Sequence, residues 1–287
     1  MKRISIFILA VVILFNPVRT MADMAEGDMI VTLGENLTEM QKNSLLEEMG
    51  APKDVQIVTV TNQEEHQYLG KYVASSLIGT KAISSSAVTI AAKGSGIKVK
   101  TKNINWVTDE MYVNALITAG VKDANIYITA PISVSGTAAL TGIIKAYEIS
   151  ADKTIPEDVK QAANQEMVET AKLGDAIGPE NAAALIAKVK QEIAKDKPKN
   201  DAELRQIIEQ AASDLNVTLT EDQIQRLMDL FNKLKGLDID WGQVSDQLNK
   251  AKDQISKFLQ SDEGQGFLDK MKQFFIWLID AIKSIFS

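Results

Sequence analysis

The side chains that most often carry out chemistry are scarce in this chain. It has no Cys and one His, His66, among 287 residues. Thiolate nucleophiles, disulfides, Cys-ligated iron–sulfur clusters and multi-histidine metal sites are therefore excluded. His66 lies in the polar stretch Asn62-Gln63-Glu64-Glu65-His66-Gln67. A catalytic imidazole is held by burial and an orienting acid, whereas this context predicts an exposed ring. The acid pairs Glu47-Glu48, Glu64-Glu65 and Asp109-Glu110 are sequence neighbours, which point different ways on a helix, so none is a ready acid/base dyad. A hydrolase would need acids from separate elements, such as Asp109 or Glu110 with Glu65. The segment from Thr129 to Leu140 carries hydroxyls and Gly136 from a strand into a helix, but has no G-K-[ST], no second dinucleotide-type glycine and no G-x-S-x-G. Ser133 or Ser135 is expected to be an ordinary helix N-cap. Asp238-Ile239-Asp240-Trp241-Gly242 begins like a calcium loop, but Gln243 and Asn249 stand where its glycine and terminal acid belong. Asp240 reads better as an N-cap. No catalytic residue, metal ligand or cofactor is assigned.

Two further patterns point to surfaces instead of reactions. Lys98, Lys100 and Lys102 alternate along one strand while Ile97 and Val99 face the other way, giving a half-buried strand with a basic outer side. Such a row could hold an anionic polymer or lipid headgroup; lysines also keep an edge strand from pairing with other molecules. Near the C-terminus, residues 267–286 read as an amphipathic helix. Phe274, Phe275, Leu278 and Ile282 lie on its apolar face, and Trp277 sits toward the polar side. The apolar run 274–279 is too short to span a bilayer. This helix either completes the protein's own helical core or meets a membrane surface, a cell-wall polymer or another protein.

The elements that would position these residues fall into two regions. Residues 23–150 form a mixed α/β domain, α+β or α/β, of about five strands and four helices in the order β-α-β-α-β-β-α-β-α. Strands are expected at 29–33, 55–60, 87–92, 97–103 and 124–130, with helices at 38–49, 63–72, 108–119 and 136–147. The third and fourth strands read as a hairpin through Lys93-Gly94-Ser95-Gly96. The Thr38 helix and the Thr108 helix each end at a glycine before a strand, which hints at a repeat, but the identities are few and two ordinary αβ units are the favoured reading. Residues 151–287 show no convincing strand and read as an all-α region of five or six helices. Pro156 and Pro179 sit at first-turn positions, and Thr220 with Gln223 has capping-box spacing.

The N-terminus carries a compartment signal. Lys2 and Arg3 precede an apolar run, Ile4 to Phe15, and small residues follow Pro17. That is the pattern of a signal peptide over residues 1–22, cleaved after Ala22. Removing it takes away three basic residues and no acid, leaving 28 basic against 38 acidic residues, a net charge of −10. So acidic a chain is a poor general binder of nucleic acid. A secreted or extracellular location, with association to the cell envelope, is expected.

Several stretches together carry a family resemblance: residues 81–87, Gly94-Ser95-Gly96-Ile97, Asn103 to Thr108, Thr118-Ala119-Gly120-Val121 and Ala130 to Leu140. The chain resembles domain-of-unknown-function family 1002, a group of secreted proteins of Gram-positive bacteria, over nearly all of its expected mature length. The resemblance implies export and the two-part layout, and carries over no catalytic or binding residue. The leading expectation is a secreted or envelope-associated protein that binds or scaffolds without catalysis. The alternatives are a secreted hydrolase using carboxylates and hydroxyls, or a self-assembling surface protein.

Overall fold

β-Branched residues concentrate in five short runs, and each becomes a strand. These are β1 (Met29–Gly34), β2 (Gln56–Val60), β3 (Ser85–Ile90), β4 (Ile97–Thr101) and β5 (Ala124–Thr129). They form one mixed sheet in the order β2-β1-β3-β5-β4, parallel at β1/β2 and β4/β5 and antiparallel at β1/β3 and β3/β5. The computed structural model describes residues 25–259. The expected leader, 1–22, and the amphipathic segment with Phe274, Phe275, Trp277, Leu278 and Ile282 lie outside the described residues.

The hairpin expected between β3 and β4 does not form. β5 lies between them, bonded to β3 on one side and β4 on the other. Burial explains the choice: Ile126 and Ile128 of β5 are almost fully buried, whereas β4 has a lysine at every second position and suits an edge. The glycine-rich turn instead wraps the start of β5, where Gly96 N donates to Asp123 Oδ1 at 2.8 Å and Ala91 N to the Asp123 carbonyl at 2.8 Å.

Strand register gives the sheet two distinct faces. Val31, Leu33 and Ala87 on one face meet Leu37, Leu45 and Met49 of the helix α1 (Glu39–Glu48) and its flanks. Ile30, Val88, Ile97, Ile126 and Ile128 on the other meet α4 (Asp109–Thr118) and α5 (Ala139–Ser150), and α6 (Glu157–Ile177) packs against those two helices and joins the same core. α1 and α4 begin alike, with Thr38 and Thr108 as N-caps, yet only α1 completes the capping box, and the two helices cover opposite faces. The shared sequence pattern is thus a shared way of starting a helix. Between β2 and β3 stand α2 (Asn62–Leu69) and a short helix, α3 (Ser75–Ile78), which was not expected.

Among the described residues, no strand follows β5. α7 (Pro179–Asp196), α8 (Asp201–Asp214), α9 (Glu221–Lys235) and α10 (Trp241–Leu259) complete the helical region. α9 has the expected Thr220/Gln223 capping box. Asp240 Oδ1 accepts from Gln243 N at 2.9 Å, the expected cap of α10. Pro179 opens α7, while Pro156 falls one position earlier than expected, at the cap of α6. A second apolar cluster joins α6 to α9, with Phe231, Leu204, Ile208 and Leu185 fully buried. The first cluster also reaches into α10 through Val244 and Leu248, so helices of the C-terminal region pack on the same core as the sheet.

Candidate ligand cleft

Three helices on the α5 side of the sheet enclose a polar cleft of about 170 Å³. The spacing of its side chains follows from helix geometry. Thr141, Ile144, Lys145 and Glu148 form one stripe of α5, Glu64 and Tyr68 lie one turn apart on α2, and Lys160 and Asn164 one turn apart on α6. Gly142 sets how closely α5 rests on the sheet: a Cβ there would stand 2.9 Å from both Thr32 Oγ1 and Val60 Cγ2. Glu64 has two tasks. Its Oε2 accepts from Thr61 N at 2.8 Å to cap α2, and its Oε1 accepts from Lys145 Nζ at 2.6 Å. Burial alone would raise its carboxyl pKa, but the bonds from Lys145 and Thr61 outweigh burial and hold it below the usual range.

A second ion pair forms the opposite part of the lining. Glu148 Oε1 lies 2.9 Å from Lys160 Nζ and also accepts from Ile155 N at 2.7 Å. Tyr68 OH donates to Glu157 Oε2 at 3.2 Å. Burial and the surrounding carboxylates of Glu157, Glu148 and Glu64 push its phenol up to about 12. The lining therefore carries two Glu and two Lys already satisfied by one another, with no net charge. Two further polar atoms are not satisfied. Thr141 Oγ1 and Asn164 Oδ1 are buried without a hydrogen-bond partner, although Asn164 Nδ2 donates to the Lys160 carbonyl at 2.9 Å. Their residues are 6% and 1% exposed, so bulk water does not serve them.

Apart from Glu64, the residues singled out by type lie elsewhere. His66 is half-buried, not exposed as expected: its Nε2 sits 3.0 Å from the Gly79 carbonyl, which fastens α2 to the end of α3. Beside it Glu65 is fully buried, with Asn62 Nδ2 donating to its Oε2 at 3.0 Å. Burial, with the negative charges of Glu35 and Glu64 nearby, raises its pKa to about 7. Asp109 is raised to about 6, by burial first, against a hydrogen bond from Thr101. Glu65 follows β2 and Asp109 is held to β4. Those strands are the two edges of the sheet, four strand spacings or roughly 19 Å apart. The acid pair a hydrolase would have needed is not brought together.

Ser135 and Ser133 do not cap α5. The cap position is Ala138, in helical conformation without a side-chain bond, because Gly136 at φ +88° turns the chain early and Tyr112 OH donates to its carbonyl. Ser135 Oγ lies 3.3 Å from Thr137 Oγ1. Lys98 and Lys100 project from the edge strand β4 and are exposed. Lys102 Nζ is held at 2.8 Å by Glu48 Oε2 of α1, whose Oε1 accepts from Tyr127 OH at 2.9 Å. Among the described residues no cluster of His, Asp or Glu is placed to hold a metal ion, and no helix is long and apolar enough to cross a membrane. Sequence reasoning missed the cleft because each of its side chains, taken singly, is ordinary helix surface. The one available signal was the polar stripe Thr141, Lys145 and Glu148 on an otherwise apolar α5.

Comparison with known proteins agrees with the resemblance. The family model described as "Protein of unknown function (DUF1002)" matches residues 33–251. The chain is 60% identical over 290 residues to "Uncharacterized protein YpuA" of Bacillus subtilis (strain 168), covering 100% of each. No solved structure matches.

Proposed function

From the premise that this chain belongs to the DUF1002 family of proteins of unknown function, we propose that it is an exported, envelope-associated protein that binds a small ligand without transforming it. The observation that carries the binding part is the cleft between α2, α5 and α6. Its lining gathers two self-satisfied ion pairs with Tyr68, Thr141 and Asn164 around about 170 Å³ of space. Catalysis is a poorer account of the same place, because all four charged side chains there are engaged in ion pairs or caps.

Export is supported by the charged, apolar and small-residue pattern of residues 1–22. Association with the envelope is supported by the apolar stripe of residues 267–286 and by the exposed Lys98 and Lys100 beside the tethered Lys102.

Native mass spectrometry of the chain recovered from the medium and envelope fractions tests these parts together. The expected species begins at Asp23, divides between the two fractions, and carries a small-molecule adduct that a Tyr68→Ala/Lys145→Ala variant lacks. Retention inside the cell with an intact N-terminus would overturn export. An adduct-free chain whose cleft stays silent to every probe would overturn binding.

A further inference from the structure

The two edges of the sheet are built differently. β4 carries Lys98 and Lys100, and a backbone bond from Thr101 on its outer side goes to Asp109. β2, at the other edge, reads Gln56-Ile57-Val58-Thr59-Val60, with no charged residue. Ile57 is 47% exposed, Gln56 and Thr59 are exposed too, and among the described residues no strand lies beyond them. Such an edge is a template for another strand.

Backbone direction shows which groups are free. Glu35 N donates to the Val60 carbonyl at 2.9 Å, so the even-numbered residues of β2 turn their N–H and C=O groups toward β1. The odd-numbered residues turn theirs outward. Of these, Val55 N is engaged by the Pro52 carbonyl at 3.1 Å, and Thr61 N by Glu64 Oε2 at 2.8 Å. The Thr59 carbonyl accepts from Lys145 Nζ at 3.0 Å. The Val55 carbonyl, both groups of Ile57 and Thr59 N have no partner among the described residues.

We propose that this edge pairs antiparallel with the same strand of a second copy, Ile57 facing Ile57 of that copy across a two-fold axis. In this register every free group meets a free group. Each Ile57 N donates to the Ile57 carbonyl across the axis, and each Thr59 N to the Val55 carbonyl of the other copy. The two engaged groups, Val55 N and the Thr59 carbonyl, fall opposite one another, so no existing bond is broken. Centring the pair on Val58 instead would aim Ile57 N at the engaged Thr59 carbonyl. An unrelated extended segment would bring its own N–H and C=O to the two engaged groups and find them taken. The strand is thus its own best complement.

Side chains agree with the backbone. Val55, Ile57 and Thr59 lie on one face, so Ile57 packs on Ile57 and Val55 on Thr59 as β-branched cross-strand pairs. One five-stranded sheet continues into the next. Lys145 keeps both its bonds, so pairing leaves the cleft as it is. The contact is small, and the expected dissociation constant is about 10–1,000 µM.

The absence of Cys from the chain supplies the test. Ile57→Cys in the full mature chain puts two Cα atoms about 5.5 Å apart across the axis, within disulfide reach. Thr59→Cys puts them four residues, or roughly 13 Å, apart along the strands. Under mild oxidation Ile57→Cys should give a covalent dimer at least tenfold faster than Thr59→Cys. Sedimentation of the unaltered chain up to about 1 mM should show a monomer–dimer equilibrium. Ile57→Lys sets like charges face to face and should weaken it about tenfold at an unchanged melting temperature. A monomer at 1 mM overturns the proposal. If the Ile57 and Thr59 amides of that monomer shift with a short Thr-Val repeat peptide, the edge belongs to another protein's strand. Equal cross-linking by the two Cys variants overturns the register and the partner with it. Self-association that Ile57→Lys leaves unchanged places the contact elsewhere and overturns it as well.

Discussion

At the scale of single residues, the informative side chains are those whose environment conflicts with their chemistry. Thr141 Oγ1 is buried without a partner, and an unmade buried hydrogen bond costs roughly 1–3 kcal/mol. Replacing Thr141 by the nearly isosteric Val should therefore stabilise the unliganded protein by about 1 kcal/mol, measured as a higher urea midpoint at unchanged slope. Glu65 makes the same point through pH. Its pKa rises from an ordinary 4.5 to about 7 on folding, so the native state holds a proton that the unfolded chain has released. Stability is then greatest below about pH 4.5, falls as pH rises toward 7, and is flat above that. Glu65→Gln should remove most of this slope and be the more stable protein at pH 8, by up to about 3 kcal/mol. Urea midpoints at pH 5 and pH 8 for the two proteins decide it, and parallel pH profiles would sink the account. Sequence alone could not reveal this state. Glu65 sits in a run of polar residues, and only its position one turn before the buried Leu69 hinted at an inward face.

At the scale of elements, nearly every strand and helix was legible, because period and caps are local properties. Thr38/Gln41 and Thr220/Gln223 start helices where expected. What was not legible was adjacency. β3 and β4 carry a good turn signal between them, yet β5 separates them because a more apolar strand gains more from a central position. The buried polar network between α4, α6 and α7 was invisible for the same reason. Lys190 Nζ and Glu166 Oε1 lie 3.0 Å apart, both fully buried, and Nζ also donates to Thr118 Oγ1 at 2.7 Å and the Asn114 carbonyl at 2.8 Å. Burial draws the Lys190 pKa downward while Glu166 opposes it. Removing one partner strands the other: Lys190→Met should cost about 3–5 kcal/mol, while Lys190→Met combined with Glu166→Leu should recover much of that loss. A double-mutant cycle by chemical denaturation measures the coupling, and additive losses would mean the pair is not coupled. Helix placement has a second control in Gly142. Gly142→Ala would force α5 away from Thr32 and Val60, costing roughly 1–3 kcal/mol and displacing the cleft residues that α5 carries.

At the scale of the whole molecule, composition suggested two regions, and packing joins them. Ile30, Val88 and Ile126 of the sheet share one continuous apolar cluster with Met167 of α6 and with Val244 and Leu248 of α10. Polar ties reinforce the join: Trp106 Nε1 donates to Asp175 Oδ1 at 3.0 Å, Lys172 Nζ to the Tyr72 carbonyl at 2.7 Å, and Lys233 Nζ to Tyr72 OH at 2.9 Å. The polar cleft lies on this same seam, with α2 and α5 from one region and α6 from the other. Without Cys the chain has no covalent staple, so the integrity of the cleft depends on that shared core. Cooperative unfolding should therefore embrace both regions. Trp106 precedes α4 and Trp241 opens α10, and both pack partly buried against the shared cluster. In variants keeping only one of these two tryptophans, with every other Trp replaced by Phe, the denaturation curves should coincide with each other and with the loss of helical circular dichroism. If the Trp241 signal changes at a lower denaturant concentration than Trp106, α10 comes away before the sheet unfolds. The cleft would then outlast α10 only if α6 keeps its hold on α2 and α5, and the Asn164 side-chain amide would report that directly.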